Sequence, residues 1–125
     1  MTKPKLLLVD DEKDFVDTLA ERLQLRGYQV LTASDGERAL QIIENDPPHL
    51  VVLDLLMPGI SGLDVLQQVK ARAPQLPVIL LTGRGSATEG AEGMQLGAHD
   101  YLMKPVKIDE LIRKMEEAVK NIPPS

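Results

Sequence analysis

Cysteine and tryptophan are absent from this sequence, and one phenylalanine and two tyrosines are its only aromatic residues besides two histidines. Without cysteine there can be no disulfide and no thiolate metal site, which fits a cytoplasmic setting. With so few rings, base stacking is not available as a binding mode, and the core must be aliphatic. Long apolar runs are missing too. Nothing approaches the roughly 20 residues needed to cross a bilayer, so no membrane role is expected. The run from Leu6 to Val9 is too short, and too quickly followed by acids, to be a signal peptide. Positive charge is in deficit: 14 Lys and Arg against 19 Asp and Glu leave a formal net charge of −5. Such a surface repels phosphates, which argues against direct nucleic-acid binding. What remains is 125 residues, enough for one domain that buries about two-thirds of its unfolded surface without staples. Residues 1–125 are therefore expected to form a single domain with its core over about 4–121.

Apolar runs alternate with amphipathic stretches. Lys5-Leu6-Leu7-Leu8-Val9 predicts a buried strand. Phe15, Val16, Leu19, Ala20 and Leu23 recur at helical spacing, and Gly27 is placed to cap that helix. Tyr28 to Ala33 reads as a second strand, and Ser34-Asp35-Gly36 as a turn able to cap the next helix. Ala39, Leu40 and Ile43 form that helix's inner face, and Pro47-Pro48 stops it. His49 to Asp54 predicts a third strand, Met57 to Gly62 a loop, and Leu63, Leu66, Val69 and Lys70 a third helix ending near Ala73-Pro74. Val78 to Thr82 predicts a fourth strand, residues 86–96 a weak helix, Asp100 to Met103 a fifth strand, and Ile108 to Asn121 a last helix. Leu111, Ile112, Met115 and Val119 share one face of that helix, with Asp109 and Glu110 in its first turn, where the helix dipole favours acids. Strands alternating with helices in this way predict an α/β fold, an open parallel sheet covered on both faces.

In such a sheet, ligands bind beyond the carboxyl ends of the strands, where strand order reverses. The first strand delivers Asp10 and Asp11 to that edge, the third Asp54, the fourth Thr82 and the fifth Lys104 followed by Pro105. Three carboxylates held together repel one another and call for a cation. An oxygen-rich set of this kind suits Mg²⁺, which binds through one or two carboxylates, phosphate oxygens and water. Lys104 offers a compact charge for a carboxylate or phosphate. The Thr82 hydroxyl can donate to a phosphoryl oxygen, and Asp54 can act as a nucleophile forming an aspartyl phosphate. Phosphoryl transfer needs chiefly positioning and charge neutralisation, which this set supplies. Each residue alone also has a plain structural use, as a cap, a turn or a strand end. Their shared placement at one end of successive strands is what favours chemistry.

The chain resembles the receiver domains of bacterial two-component response regulators from Lys5 to about Asn121. The motifs that carry the resemblance are Leu8-Val9-Asp10-Asp11, Leu53-Asp54-Leu55-Leu56-Met57-Pro58-Gly59, Leu81-Thr82-Gly83 and Tyr101-Leu102-Met103-Lys104-Pro105. The resemblance implies a flavodoxin-like, doubly wound five-stranded parallel sheet in the order 2-1-3-4-5 with five helices. It implies a switch that takes a phosphoryl group from a phosphohistidine on a sensor histidine kinase or phosphotransfer protein. Such a domain catalyses its own phosphorylation and dephosphorylation and is not an enzyme toward outside substrates. Asp54 looks like the phosphoacceptor, and Asp11 like a direct Mg²⁺ ligand beside Asp54 and the backbone carbonyl of Leu56, with Asp10 acting largely through water. Lys104 would hold the phosphoryl group, Thr82 would swing toward it and Tyr101 would turn inward behind it. That coupling would change the surface around the fourth helix, fifth strand and fifth helix, where an output domain, a target protein or a second copy of the chain would dock. The Lys104–Pro105 bond is often cis in this family.

Leu56 and Arg84 flank the path of hydrolytic water in this resemblance. An apolar Leu56 cannot orient water and a long Arg84 can cover the phosphate, so a long-lived phosphorylated form is expected. A Mg²⁺-dependent phosphatase of the haloacid-dehalogenase type would need a second acid two residues after the nucleophile, where Leu56 stands. A flavodoxin-like cofactor binder would need a glycine-rich phosphate cradle, which the first loop lacks. A phosphorylation-independent interaction module would have no use for the intact acid set. Gly83, Gly85, Gly90, Gly93 and Gly97 cluster around the fourth helix, where each interior glycine costs about 1 kcal/mol relative to Ala. Gly90 and Gly93 in particular are expected to make this helix a mobile switch element, with close packing against neighbours as the alternative. The single histidines His49 and His99 lack partners at metal spacing and suit loop or surface positions.

Overall fold

The structure is a computed structural model that describes residues 3–57, 59–83 and 87–120. Its elements in chain order are β1 (Lys5–Val9), α1 (Lys13–Leu25), β2 (Gln29–Ala33), α2 (Gly36–Asn45), β3 (Leu50–Asp54), α3 (Gly62–Arg72), β4 (Val78–Thr82), α4 (Ala87–Gln95), β5 (Asp100–Met103) and α5 (Ile108–Lys120). The five strands form one parallel sheet in the order β2-β1-β3-β4-β5, the expected doubly wound arrangement. The central strands β3 and β4 are buried along their whole length, as is β1 after Lys5. Helices cover both faces of a parallel sheet, so its inner strands need continuous apolar runs rather than alternation.

Alternation survives in which face each residue serves. Leu6 and Leu8 join Val52, Ile79 and Leu81 against α1 and α5, through Leu19, Leu23, Leu111 and Met115. Leu7 and Val9 join Val51, Leu53 and Leu80 against the other face, through Ala39, Ile43, Val65, Leu66 and Val69. Truncating any one of these leucines to Ala would cost about 2–5 kcal/mol. Two helices are started by side chains: Asp35 accepts from Arg38 N at 2.8 Å, and Ser61 from Asp64 N at 3.2 Å. Each such cap contributes about 1 kcal/mol.

The strands begin a residue later than the β-rich runs suggest at two places. Tyr28 is buried against the α1 layer rather than paired in β2. His49 precedes β3 and prolongs the pairing from outside it: its backbone N–H donates to Lys5 O and its Nδ1 accepts from Lys5 N, both at 2.8 Å. Gly27, at φ +93°, turns the chain from α1 into β2 in the left-handed region that glycine tolerates. In α4 a Cβ at Gly93 would stand 2.1 Å from a methyl of Leu80, so this glycine lets the helix lie close on the sheet. Gly90 has only ordinary contacts to spare, with Thr82 and the Tyr101 ring.

Candidate functional site at the carboxyl edge

The chain leaves β1 toward β2 on one side, while β3 pairs with β1 on the other, so the strand order reverses between β1 and β3. Crevices for ligands open at such points. Val9 pairs with Leu53 there, which puts Asp10, just past β1, next to Asp54, the last residue of β3. One carboxylate oxygen each from Asp10, Asp11 and Asp54 lie within 4.8 Å of one another. Asp10 and Asp54 are buried, whereas Asp11 is exposed. The backbone holds the arrangement at several points: Asp10 N donates to Ala33 O at 3.1 Å and Leu55 N to Leu81 O at 3.1 Å. Gly62, at the start of α3, packs directly on the end of β3, where a Cβ would lie 2.4 Å from Asp54 O.

Lys104 enters from the far side of the sheet. Its backbone N donates to Thr82 O at 2.8 Å, and the Lys104–Pro105 bond that follows is cis. Its ammonium reaches back to stand 2.7 Å from Asp10 Oδ2, 2.8 Å from Glu12 Oε1 and 3.7 Å from Asp54 Oδ2. The ammonium is the close ionic partner of the buried Asp10 Oδ2, which has no further partner among the described residues. The same ammonium lies 4.7 Å from the centre of the Phe15 ring. Burial pushes the Lys104 pKa down, but the carboxylates of Asp10 and Glu12 outweigh it and hold the amine above its ordinary value. Asp54 moves the other way. Burial, joined by repulsion from Asp10, pushes its carboxyl from 3.8 up to about 6 against the pull of Lys104 and the Leu56 backbone N–H. That N–H reaches Asp54 Oδ1 at 3.3 Å.

The remaining expected residues stand around this centre. Thr82 is buried, and its hydroxyl donates to Leu102 O over a long 3.4 Å. Tyr101 points outward with 42% of its surface exposed, near Met94 and Met103, which are also exposed. The Leu56 side chain is exposed beside Asp54. Arg84 lies outside the described residues. Glu12 is the group that sequence reasoning missed. It occupies the position before α1, where an acid ordinarily serves the helix terminus, yet it makes no side-chain cap and spends its carboxylate on Lys104. A third acid directly after Asp10-Asp11 was the only available signal.

Three carboxylates brought to one point, two of them buried, and closed on one side by the Lys104 ammonium suit a divalent cation and an incoming phosphate. Comparisons with known proteins show which family the chain resembles. The family model described as the response regulator receiver domain matches residues 6–116. The response regulator MprA of Mycolicibacterium vanbaalenii is 38% identical over 120 residues, covering 96% of this chain and 52% of that protein. The chain thus spans about half the length of the curated relatives it matches. Among solved structures, the receiver domain of Francisella response regulator 1452 superposes with a TM-score of 0.88 at 31% identity, covering 97% of this chain and 100% of that one. NtrX from Brucella abortus, solved in complex with ADP, gives a TM-score of 0.90 at 36% identity, over 96% of this chain and 27% of its own.

Proposed function

The chain belongs to the response regulator receiver domain family, and from that premise we propose that Asp54 accepts a phosphoryl group from a phosphohistidine on a histidine kinase or phosphotransfer protein. The observation that carries this reading is the meeting of Asp10, Asp11 and Asp54 oxygens within 4.8 Å, with the Lys104 ammonium 3.7 Å from Asp54. In the transfer, an Asp54 carboxylate oxygen forms a bond to phosphorus as the phosphorus–nitrogen bond of the donor breaks. The imidazole leaves with the bonding electron pair. Asp54, with its pKa raised to about 6, is protonated more readily than a free carboxyl but is mostly ionised at neutral pH, and a cation held by the acid set would favour that nucleophilic form further.

Asp10, Asp11, Asp54 and the Leu56 carbonyl would hold Mg²⁺. The meeting of three carboxylates within 4.8 Å, with Asp11 open to solvent, is the feature of this chain that fits the ion. When bound, Mg²⁺ neutralises charge building on the phosphoryl oxygens. Lys104 supports the same oxygens from the opposite side, and the Thr82 hydroxyl, weakly held at 3.4 Å, is free to turn toward them. The Tyr101 ring, which already lies beside Gly90, would turn inward behind Thr82. Such a movement would reshape the exposed α4, β5 and α5 face, where Met94, Tyr101 and Met103 lie, and change its affinity for an output domain, a target protein or a second copy of the chain. Phosphoryl transfer would be confined to the chain's own Asp54, with no turnover of outside substrates, and would take place in the cytoplasm.

The test is incubation with Mg²⁺ and acetyl phosphate followed by intact-mass measurement. The native protein is expected to gain one phosphoryl group and Asp54→Ala none. Unchanged mass in the native protein, or equal gain in both, would refute the assignment.

A further inference from the structure

Lys104 is held in this structure by partners other than the acceptor it is meant to serve. We infer that Glu12 is a positioning residue: it holds the Lys104 ammonium away from Asp54 in the unphosphorylated chain, and phosphoryl capture requires Lys104 to leave it. This rests on the reading of Asp54 as acceptor.

The geometry is unequal in a telling way. Lys104 Nζ stands 2.7 Å from Asp10 Oδ2, which anchors it, and 2.8 Å from Glu12 Oε1, but 3.7 Å from Asp54 Oδ2, so of the two flanking carboxylates it leans on Glu12. The Phe15 ring on the same helix, 4.7 Å away, adds a second attraction on the Glu12 side. Glu12 is well placed for this. Its backbone N–H donates to Asp10 Oδ1 at 3.0 Å, which fixes the start of its side chain to the acid centre. Its carboxylate makes no cap on α1 and has no other ionic partner among the described residues. The two ends of the pair also differ in solvation. The Glu12 side chain is 63% exposed and the Lys104 side chain 18%, so water can replace the lysine at Glu12 at small cost. An exposed pair of this kind contributes about a two- to fivefold bias. That is enough to tilt the ammonium, anchored on Asp10, toward Glu12 rather than Asp54, and too little to oppose an incoming phosphoryl group.

Two substitutions separate position from charge. Glu12→Gln removes the ion pair and the charge. Glu12→Asp keeps the charge but shortens the arm by one methylene. Two probes read them: half-saturation by beryllofluoride at saturating Mg²⁺, and, without metal, the rate at which acetic anhydride labels Lys104, resolved by mass spectrometry against Lys13 as internal reference. Both variants are expected to bind beryllofluoride about two- to fivefold more tightly and to label Lys104 faster by a similar factor. Native behaviour in Glu12→Asp with a change in Glu12→Gln would show a general field effect and overturn the inference. No change in either variant would overturn it as well. If the native protein bound no beryllofluoride and took up no phosphoryl group, the acceptor reading would fail, while unchanged Lys104 labelling would separately refute the Glu12 contact.

Discussion

Around the ends of β1 and β3, the buried carboxylates are pinned: Asp10 and Asp54 are 1% and 3% exposed, and backbone and side-chain contacts fix both. Around the ends of β4 and β5 the commitments are looser. Thr82 has one long hydrogen bond, Tyr101 is turned outward and α4 above them carries glycines at 90 and 93. The first region suits chemistry, because its buried carboxylates are already in place and only the Lys104 ammonium has to shift when phosphate arrives. The second suits readout, because a switching element must be drawn from weakly held structure. Lys104 joins them, with its backbone tied to Thr82 and its ammonium among the acids.

The contrast can be broken most severely with single methyl groups. A Cβ at Gly62 would stand 2.4 Å from Asp54 O and 2.6 Å from Leu55 Cα, where only backbone could give way. Gly62→Ala should cost about 3 kcal/mol and lower Tm by roughly 10 °C. At Gly90 the nearest atoms are 3.6 and 3.7 Å away, so Gly90→Ala should change Tm by only about 2 °C or less. Thermal melts of the two variants side by side would remove the contrast if the losses were equal.

A smaller effect should appear in the pH dependence of stability without metal. Because the Asp54 pKa is raised from 3.8 to about 6 on folding, the native state binds more protons than the unfolded state across that window. Stability is therefore full below the unfolded pKa and falls as pH rises through the folded one. Asp54→Asn should flatten this fall and be more stable than the native protein at pH 7, on the order of 2 kcal/mol. Urea titrations at pH 4 and pH 7 check it, and an equal pH slope in both proteins would contradict the burial argument. The smallest effect concerns Leu56, whose exposed apolar side chain beside Asp54 offers hydrolytic water no hydrogen bond. Leu56→Asn should shorten the phosphorylated lifetime about two- to tenfold, the worth of one hydrogen bond to water, as followed by loss of the added mass over time.

Much of the fold is written in runs that allow no other placement. Leu6 to Val9, Leu50 to Leu53 and Val78 to Leu81 are too short for helices and too apolar for an edge, so they become the inner strands. The ends of those strands then hold Asp10, Asp54 and Thr82, and the site could be named residue by residue from that pattern. The glycines of α4 were less legible. Mobility and close packing predict the same letters, and only the 2.1 Å approach to Leu80 identifies Gly93 as a packing position.

Sequence alone determined the layer order, the polar groups at the carboxyl edge and the chemistry they favour, because hydrophobic period and strand-end position are local properties of the chain. Tertiary structure alone decided how the charges divide. Glu12 and Lys104 are 92 residues apart, and nothing local to either shows that they meet. Whether an ammonium sits on Glu12, Asp10 or Asp54 depends on differences of about an ångström and on which carboxylate is exposed to water, and those are set only when β1, β3, β4 and β5 are packed into one sheet.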